Sequence, residues 1–295
     1  MNNENLVVGI DIGGSHITAA IIDLNNRLMV GDLLIRRKVD CHAPAEEIIT
    51  IWIDTIKELL SNFNEKVFRI GFAMPGPFLY DAGISKIRGF DKYEALYDLN
   101  IRNIIAERLG LQASDILFRN DAEAFLDGEI FCGAAKGCRD VIGITLGTGL
   151  GSAVSHHCLT KDAELSVLDF NGEIIEESVS TRGLLRNYFN LTGKMLKDAK
   201  DVANLFLSDD NAVKSFEKFG DDLAWFLRKF IQQENPEILV IGGNIIQSWD
   251  LFMDRVLQNL TTVLSQVPRI VKASLGENAA LIGGACKHEE KLSAA

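Results

Sequence analysis

Residues 9–23 read GIDIGGSHITAAIID. An apolar run ends in Asp11, breaks at Gly13 and Gly14, and resumes at Ile17. This pattern predicts two strands joined by a tight glycine turn. Phosphate groups need several donors at close range, and glycine lets the bare backbone come near enough to supply them. The stretch therefore predicts a hairpin that is either a simple tight turn or one side of a phosphate site.

Residues 140–155, DVIGITLGTGLGSAVS, repeat this arrangement around Gly147, Thr148 and Gly149. Two such hairpins in one chain suggest duplicated α/β halves, with chance as the alternative because glycine hairpins are common. Alone, each hairpin indicates only a turn. Together, with Asp11 at a strand end, they favour a nucleotide clamp in which Asp11 holds Mg²⁺ directly or through water.

Length and composition restrict the classes of protein. The chain has 295 residues, of which 47% are hydrophobic and 24% charged, which is typical of a globular protein with two domains. A net charge of -11 argues against a nucleic-acid surface. Five cysteines without framework spacing indicate a reduced, cytoplasmic protein. Neither a signal region nor a membrane-spanning stretch is present, so no membrane partner is expected.

Two further motifs lie where a strand gives way to a helix. In VIGGNI, Gly242 and Gly243 form either a plain turn or a surface for a flat base. This motif is not the dinucleotide fingerprint, so a Rossmann oxidoreductase loses support. In FRNDAEAF, Asn120 and Asp121 suit a helix N-cap, and a carboxylate here could also accept a proton from an attacking hydroxyl. The motif alone does not decide between capping and catalysis.

The ordered set of motifs extends over nearly the whole chain: DIGGS, MPGP, NDAEA, LGTGLGS, NGE, IGGN and ENAALIGGA. In this order they resemble the glucokinase-like sugar kinases of the ROK family (repressor, open reading frame, kinase), within the actin-like ATPase superfamily. The resemblance implies a two-domain α/β fold of the actin-like, ribonuclease H-like type with a central cleft. We expect a smaller N-terminal domain over residues 1–119, a larger domain over 120–281, and a helix at about 282–295 that packs on the first domain.

The same resemblance assigns roles to the motif residues. Asp121 would take the proton from a sugar hydroxyl, with Asn120, Gly76 and Glu173 on the sugar side. The two glycine turns would face each other across the cleft and hold the phosphates of the donor. The residues implied on the nucleotide side are Asp11, Gly13, Gly14, Gly147, Thr148, Gly149, Gly242 and Gly243, with the last two beside the adenosine. The implied reaction uses ATP and Mg²⁺ to convert a glucose-like hexose into its 6-phosphate, and the resemblance admits a homodimer.

The sequence departs from the family pattern after Glu173. The usual stretch is Gly-Glu-x-Gly-His, whereas this chain reads GEIIEES and has Glu176 where the histidine is expected. The cysteine-rich zinc motif of the family is absent as well. We therefore expect a branch without structural zinc, similar to the polyphosphate-using glucokinases. The departure leaves open which sugar is used, whether polyphosphate replaces ATP, and whether Glu176 contacts sugar or faces solvent.

A group of basic residues near the expected sugar site, Lys86, Arg88 and Lys92, is either a solvated surface or a contact for an anionic group. A second class of function is a catalytically inactive sugar-binding or regulatory protein of the same family. The first strand begins at about residue 6, which leaves no room for a helix-turn-helix, so a DNA-binding repressor is not expected. An inactive sugar sensor remains the alternative, because Glu176 alters the site.

Overall fold

The computed structural model describes residues 5–293, with side chains up to residue 289. The chain forms two compact units, which we call unit 1 and unit 2. Unit 1 contains the chain up to Gly137 and from Glu277 onward, and unit 2 contains Cys138–Gly276. The first boundary falls after Gly137 rather than after residue 119, and unit 1 is the longer of the two.

Unit 1 consists of a mixed five-stranded sheet, a short hairpin and four helices. Its strands are β1 (Leu6–Ile12), β2 (His16–Asp23), β3 (Leu28–Lys38), β4 (Arg69–Met74), β5 (Phe78–Leu79), β6 (Ile84–Ser85) and β7 (Ile116–Asn120). Its helices are α1 (Ala45–Ser61), α2 (Ile101–Leu109), α3 (Asp121–Cys132) and α8 (Asn278–Ser293). The sheet has the order β3-β2-β1-β4-β7. Strands β1, β2 and β3 are antiparallel neighbours, whereas β1, β4 and β7 run parallel.

Helices cover both faces of this sheet. On one face, alternate residues of β1 such as Val8 and Ile10 join a core to which α1 contributes Trp52 and Ile56. The apolar spacing of residues 46–63 predicts this helix, and the structure confirms it. Because both faces of β1 are buried, the strand reads as a nearly continuous apolar run.

The other face of the sheet packs against α8. A Cβ on Gly71 would collide with the backbone of Gly284, so the missing side chain allows helix and strand to approach closely. Helices α3 and α8 also meet backbone to backbone, since a Cβ on Gly283 would collide with Ala124. This packing explains why α3 belongs to unit 1, although the sequence places it after the boundary. The C-terminal helix α8 packs on unit 1, and residues 294–295 lie outside the described part.

Unit 2 has a second five-stranded sheet. The strands of this sheet are β8 (Asp140–Leu146), β9 (Leu150–His156), β10 (Leu159–Asp162), β13 (Ile238–Gly242) and β14 (Arg269–Lys272). Strands β11 (Asp169–Phe170) and β12 (Glu173–Ile174) pair with each other as a separate two-stranded sheet. The helices of unit 2 are α4 (Thr181–Thr192), α5 (Ala199–Asn204), α6 (Asp210–Glu234) and α7 (Met253–Val263). The order β10-β9-β8-β13-β14 again combines antiparallel hairpin strands with parallel neighbours. The two five-stranded sheets share one strand order and the same strand directions, which is compatible with duplicated halves.

One predicted helix differs from the structure. The sequence predicts a continuous helix over residues 248–264, whereas the structure has a 3₁₀ segment over Asn244–Leu251, a break at Phe252, and then α7. The hydrophobic spacing continues through the break, so periodicity alone does not reveal it. Among the described residues, no helix is both long enough and apolar enough to cross a lipid bilayer.

Candidate functional site

In unit 1 the predicted residues gather at one edge of the sheet. Strands β1, β4 and β7 are parallel neighbours, so their carboxyl ends lie at the same edge. Asp11 pairs in register with Ala73, and Met74 pairs with Asn120. In open α/β sheets, ligands bind at this edge, where the connecting loops leave a crevice. The topology therefore brings together Asp11 and the start of α3.

Asn120 forms the N-cap of α3. Its Oδ1 accepts from the backbone N–H groups of Ala122 (2.7 Å) and Glu123 (3.4 Å), which have no carbonyl acceptor within the helix because they lie in its first turn. The neighbouring carboxylate of Asp121 is exposed and accepts from the N–H of Ala122 at 3.0 Å. Capping therefore occurs as the sequence suggests. It engages Asn120 and leaves the Asp121 carboxylate accessible.

The MPGP loop lies against this cap. The side-chain amide of Asn120 donates to the hydroxyl of Tyr80 at 3.3 Å, and that hydroxyl donates to the carbonyl of Met74 at 3.1 Å. A Cβ on Gly76 would lie 3.2 Å from the Tyr80 hydroxyl and 4.0 Å from the Asn120 amide. Gly76 is thus next to Asn120, and a side chain there would crowd both polar groups.

The first glycine turn is held in place by hydrogen bonds, most of which its own carbonyl groups accept. The N–H of Gly13 donates to the carbonyl of His16 at 2.9 Å, and the hydroxyl of Tyr93 donates to the carbonyl of Gly13 at 2.6 Å. The carbonyl of Ser15 accepts from Val39 at 2.9 Å. Within residues 5–293, the N–H groups of Gly14 and Ser15 donate to no protein group. Two backbone donors are therefore available to a ligand at this turn.

Asp11 is half-buried directly before the turn. Burial, then the neighbouring charges of Asp121 and Glu277, raises the pKa of its carboxyl to about 7, while Arg36 acts in the opposite direction. Arg36 also forms an ion pair with Glu277, an exposed residue that precedes α8. Burial and the neighbouring carboxylates therefore destabilise the negative charge of Asp11, and a cation nearby would stabilise it.

The basic residues of the 86–92 loop make contacts of their own. Lys86 forms an ion pair with Asp98, and the Arg88 guanidinium lies 5.2 Å from the ring centroid of Tyr97. Both side chains are partly or fully exposed. These contacts suit a solvated surface, which is one of the two interpretations of the sequence.

The second glycine turn, in unit 2, has the same character. All three of its carbonyl groups accept hydrogen bonds: Gly147 from the N–H of Thr181 (2.8 Å), Thr148 from Arg182 (2.9 Å) and Gly149 from the N–H of Gly147 (3.0 Å). The N–H groups of Thr148 and Gly149 have no acceptor among the described residues. Successive free amides of this kind are suited to bind an anion.

Glu176 lies beside this turn. One carboxylate oxygen accepts from the N–H of Leu150 at 2.9 Å, and the other accepts from Arg182 at 2.9 Å. Arg182 also donates to Glu177 at 2.7 Å. Glu176 is therefore turned towards the hairpin, and both of its carboxylate oxygens accept hydrogen bonds from protein groups. Its carboxylate is engaged in holding the start of β9.

The IGGN motif lies directly behind the same hairpin. Strand β13 pairs with β8, and Gly242 is in register with Thr145. Gly243 has φ = +87°, and a Cβ on it would collide with the backbone of Leu146, the residue before the turn. Glycine is required at this position both by its backbone conformation and by the close approach. The structure therefore brings Gly242 and Gly243 next to Gly147.

Glu173 lies in a different environment. It is an exposed residue of β12, and its carboxylate forms an ion pair with Arg186 at 2.7 Å. Both residues line an open, polar depression of about 320 Å³ together with Lys218 and Asp222. Within the described part of the chain, no hydrogen bond or ion pair joins Glu173 to the second glycine turn.

The sequence analysis assigns no role to three residues that contact or face the predicted site: Tyr93, Arg182 and Glu277. Tyr93 and Arg182 lie in unremarkable stretches, and only the folded chain brings them to the turns. Glu277 is part of the ENAALIGGA motif, so its position was a usable signal. Among the described residues, the group Asp40, Cys41 and His42 has ligand atoms close enough together to hold a metal ion. All five cysteines are free thiols.

The paired topology, with a glycine turn after the first strand of each sheet, defines an α/β protein with an actin-like fold. The chain belongs to the ROK family: the family model matches residues 7–161 and 170–290. The unmatched segment, residues 162–169, ends shortly before the NGE motif, after which the sequence departs from the family pattern.

The relatives of this chain include two glucokinases and a repressor. The chain is 25% identical to a glucokinase of Thermotoga maritima over 97% of this chain and 98% of that protein. It is 29% identical to a polyphosphate glucokinase of Mycobacterium tuberculosis over 94% and 89%. A xylose repressor of Bacillus subtilis is 25% identical over 94% of this chain and 75% of the repressor.

Solved structures agree on the fold. A ROK hexokinase from Thermus thermophilus superposes with a TM-score of 0.83 at 20% identity, covering 98% of this chain and 100% of that one. A ROK-family glucokinase from Streptomyces griseus, solved with glucose and AMPPNP, gives a TM-score of 0.78 at 21% identity, covering 97% and 99%. At these identities the likeness establishes the fold, which confirms the predicted fold class.

Proposed function

We propose that this protein is a sugar kinase that transfers the γ-phosphoryl group of ATP to a hydroxyl of a glucose-like hexose, giving a hexose 6-phosphate. The observation that carries the proposal is the state of the two glycine turns. In each turn, protein groups hold carbonyls while two consecutive N–H groups remain for a ligand. The relatives that are glucokinases support the same reading.

The turns supply donors for phosphate oxygens. Gly14 in unit 1, and Thr148 and Gly149 in unit 2, would donate backbone hydrogen bonds to the donor phosphates. Gly13 and Gly147 provide the conformations that these turns need. The Gly242–Gly243 step offers a flat backbone surface for the adenine ring. These roles require no side-chain charge, which is compatible with a chain of net charge -11.

The residues around Asp11 fit Mg²⁺. This ion prefers oxygen ligands, and the Asp11 carboxylate interacts with two further carboxylates, Asp121 and Glu277, whose repulsion a cation would relieve. We assign Asp11 as the residue that holds the ion, directly or through water. Mg²⁺ bound there would neutralise charge on the transferring phosphoryl group.

Asp121 is the proposed general base. Its exposed carboxylate can accept the proton of the attacking sugar hydroxyl, as the reaction requires. Asn120 has two amide N–H donors, of which one goes to Tyr80, so the other is left for a neighbouring hydroxyl. Gly76 keeps the space beside this amide free. Glu173 remains a proposed sugar contact, for which its ion pair with Arg186 would have to rearrange.

The direct test is an acceptor panel. The purified protein is incubated with Mg-ATP or with polyphosphate and a set of hexoses, and ADP release and sugar phosphate are measured. We expect sugar-dependent phosphorylation with a glucose-like acceptor. An absence of sugar-dependent ADP release and of sugar phosphate across the panel would contradict the proposal.

A sugar-binding regulatory protein without turnover is the second candidate. The similarity to a xylose repressor over most of this chain favours it, and so does the engagement of Glu176 by Arg182 where the family histidine is expected. Saturable hexose binding by calorimetry, combined with no phosphoryl transfer from either donor, would identify this function instead. We expect a soluble, cytoplasmic protein in either case, with a homodimer admitted by the family resemblance.

A further inference from the structure

The second glycine turn is held by two side chains that the proposed reaction does not use. Arg182, in the first turn of α4, donates to the carbonyl of Thr148 and to the carboxylate of Glu176. Glu176 in turn accepts from the N–H of Leu150. The two residues therefore connect both sides of the turn, and we call this pair the Arg182–Glu176 brace.

The brace determines the direction of a donor in the turn. A peptide unit is planar and trans, so its C=O and the following N–H point in opposite directions. Because Arg182 holds the Thr148 carbonyl on the side of α4, the N–H of Gly149 must point away from α4. The N–H of Thr181 holds the Gly147 carbonyl in the same way and so directs the N–H of Thr148.

Without the brace, the Thr148 carbonyl loses its hydrogen bond, whereas the carbonyls of Gly147 and Gly149 keep their backbone donors. Gly147 and Gly149 have no side chains, and glycine populates more backbone conformations than any other residue. A rotation of the Thr148–Gly149 peptide would present a carbonyl oxygen to the ligand in place of an N–H. The Arg182 bond opposes this rotation, and charge-assisted hydrogen bonds of this kind are stronger than neutral ones.

We propose that Arg182 and Glu176 are positioning residues that fix the second glycine turn in the conformation that binds the donor phosphates, without any metal. This proposal rests on the proposed function for the identity of the donor. It assigns Glu176 a task that differs from sugar contact: the carboxylate orients Arg182 and anchors the start of β9. The brace thus connects the departure from the family pattern at Glu176 to donor binding.

The test compares nucleotide binding with sugar binding. Dissociation constants for Mg-AMPPNP and for inorganic tripolyphosphate are measured by calorimetry in wild type, Arg182→Ala, Arg182→Lys and Arg182→Ala/Glu176→Gln. We expect Arg182→Ala to weaken the binding of both phosphate probes by roughly tenfold or more. This loss corresponds to one charge-assisted hydrogen bond. Hexose binding should be unchanged. Arg182→Lys should fall between, because an ammonium group cannot reproduce the guanidinium fork.

The double variant separates orientation from charge. If Arg182 acted only by neutralising Glu176, then removing both charges would restore binding, whereas the brace predicts that the double variant stays weak. Arg255→Ala is the matched control, because it removes another arginine of unit 2 that is ion-paired, in this case with Asp221 of α6. Arg255→Ala should leave the dissociation constants of both phosphate probes unchanged.

The outcomes distinguish this proposal from the proposed function. Wild-type protein that binds Mg-AMPPNP but phosphorylates no sugar contradicts the kinase and leaves the brace to be judged by binding alone. Equal phosphate binding in wild type and Arg182→Ala, or full recovery in the double variant, overturns the brace. Wild-type protein that binds neither phosphate probe overturns both.

Discussion

The hydroxyl of Tyr93 donates to the carbonyl oxygen of Gly13 at 2.6 Å. Tyr93 is fully buried, and its ring packs edge-on against Trp52 at 5.8 Å between centroids. Because the peptide between Gly13 and Gly14 is planar, holding this carbonyl directs the N–H of Gly14 the opposite way. Tyr93 thus holds a carbonyl of the first turn, as Arg182 holds a carbonyl of the second turn.

We expect Tyr93→Phe to weaken Mg-AMPPNP binding severalfold, because the Gly13 carbonyl loses its donor and the turn gains freedom. The free energy of unfolding should fall by about 1 kcal/mol, the usual worth of one hydrogen bond. The control is Tyr188→Phe, which removes another buried hydroxyl, one that donates to Asp209 at 2.8 Å in unit 2. It should lower stability without changing nucleotide affinity. Equal nucleotide affinity in all three proteins would contradict the assigned role of Tyr93.

Asp121→Asn should abolish phosphoryl transfer while hexose and nucleotide dissociation constants stay within about twofold of wild type. The amide keeps the size of the side chain and can no longer take up a proton, and a general base contributes on the order of 10²–10⁴ in rate. Turnover is measured by single-turnover sugar phosphorylation and binding by calorimetry. Residual activity near the wild-type rate would show that another group accepts the proton.

Asp11→Asn should stabilise unit 1 at alkaline pH. A folded-state pKa of about 7 lies above the ordinary value near 4, so the contribution of Asp11 to stability is fully present below pH 4 and is lost as pH rises through 7. In EDTA, the free energy of unfolding of the variant should therefore exceed that of wild type by an amount that grows from pH 4 to pH 8. This difference reaches on the order of a few kcal/mol. Urea unfolding across this range measures it. The groups that face Asp11 are Asp121, Glu277 and Arg36, and a gain that is independent of pH would refute the assignment.

His156 lies between two carboxylates, with Nδ1 2.9 Å from Asp140 and Nε2 2.9 Å from Glu234. Hydrogen bonds to Asp140 and then Glu234 raise the pKa of the imidazole above 6.5. Its contribution to stability is therefore complete below pH 6.5 and disappears as pH rises through the folded-state pKa.

We expect His156→Gln to remove this pH dependence from urea unfolding between pH 6 and 9. The effect should stay below about 1 kcal/mol, because the side chain is 42% exposed and water screens the pairs. His157→Gln, at the adjacent exposed position, is the control. The hypothesis fails if wild type and His156→Gln lose stability in parallel over this range.

Most strands and long helices of this protein are predictable from the sequence, because their buried apolar residues recur with the period of a strand or a helix. The β1–β2 hairpin, α1, α3 and β13 follow from apolar spacing with glycine, asparagine or aspartate at the ends. The exposed edge strand β3 and the helix α4 gave weaker signals. The break before α7 was invisible, because the apolar pattern continues across it.

The candidate site divides in the same way. Asp11, Asn120, Asp121 and the glycine turns were predictable, because tight turns and strand ends restrict which residues can occupy them. The domain boundary after Gly137 was not, since it depends on backbone contact between α3 and α8, which lie far apart in the chain.

By itself, the sequence determined the elements, the repeated hairpin and the ordered motifs of the ROK family, because these are local properties of spacing and residue type. Only the tertiary structure decided which side chains hold the turns. Tyr93 reaches Gly13, and Arg182 with Glu176 reaches Thr148 and Leu150, across long stretches of chain. Hydrogen bonds between residues so distant in sequence leave no periodic trace, so the groups that orient the backbone donors become known only when the chain is folded.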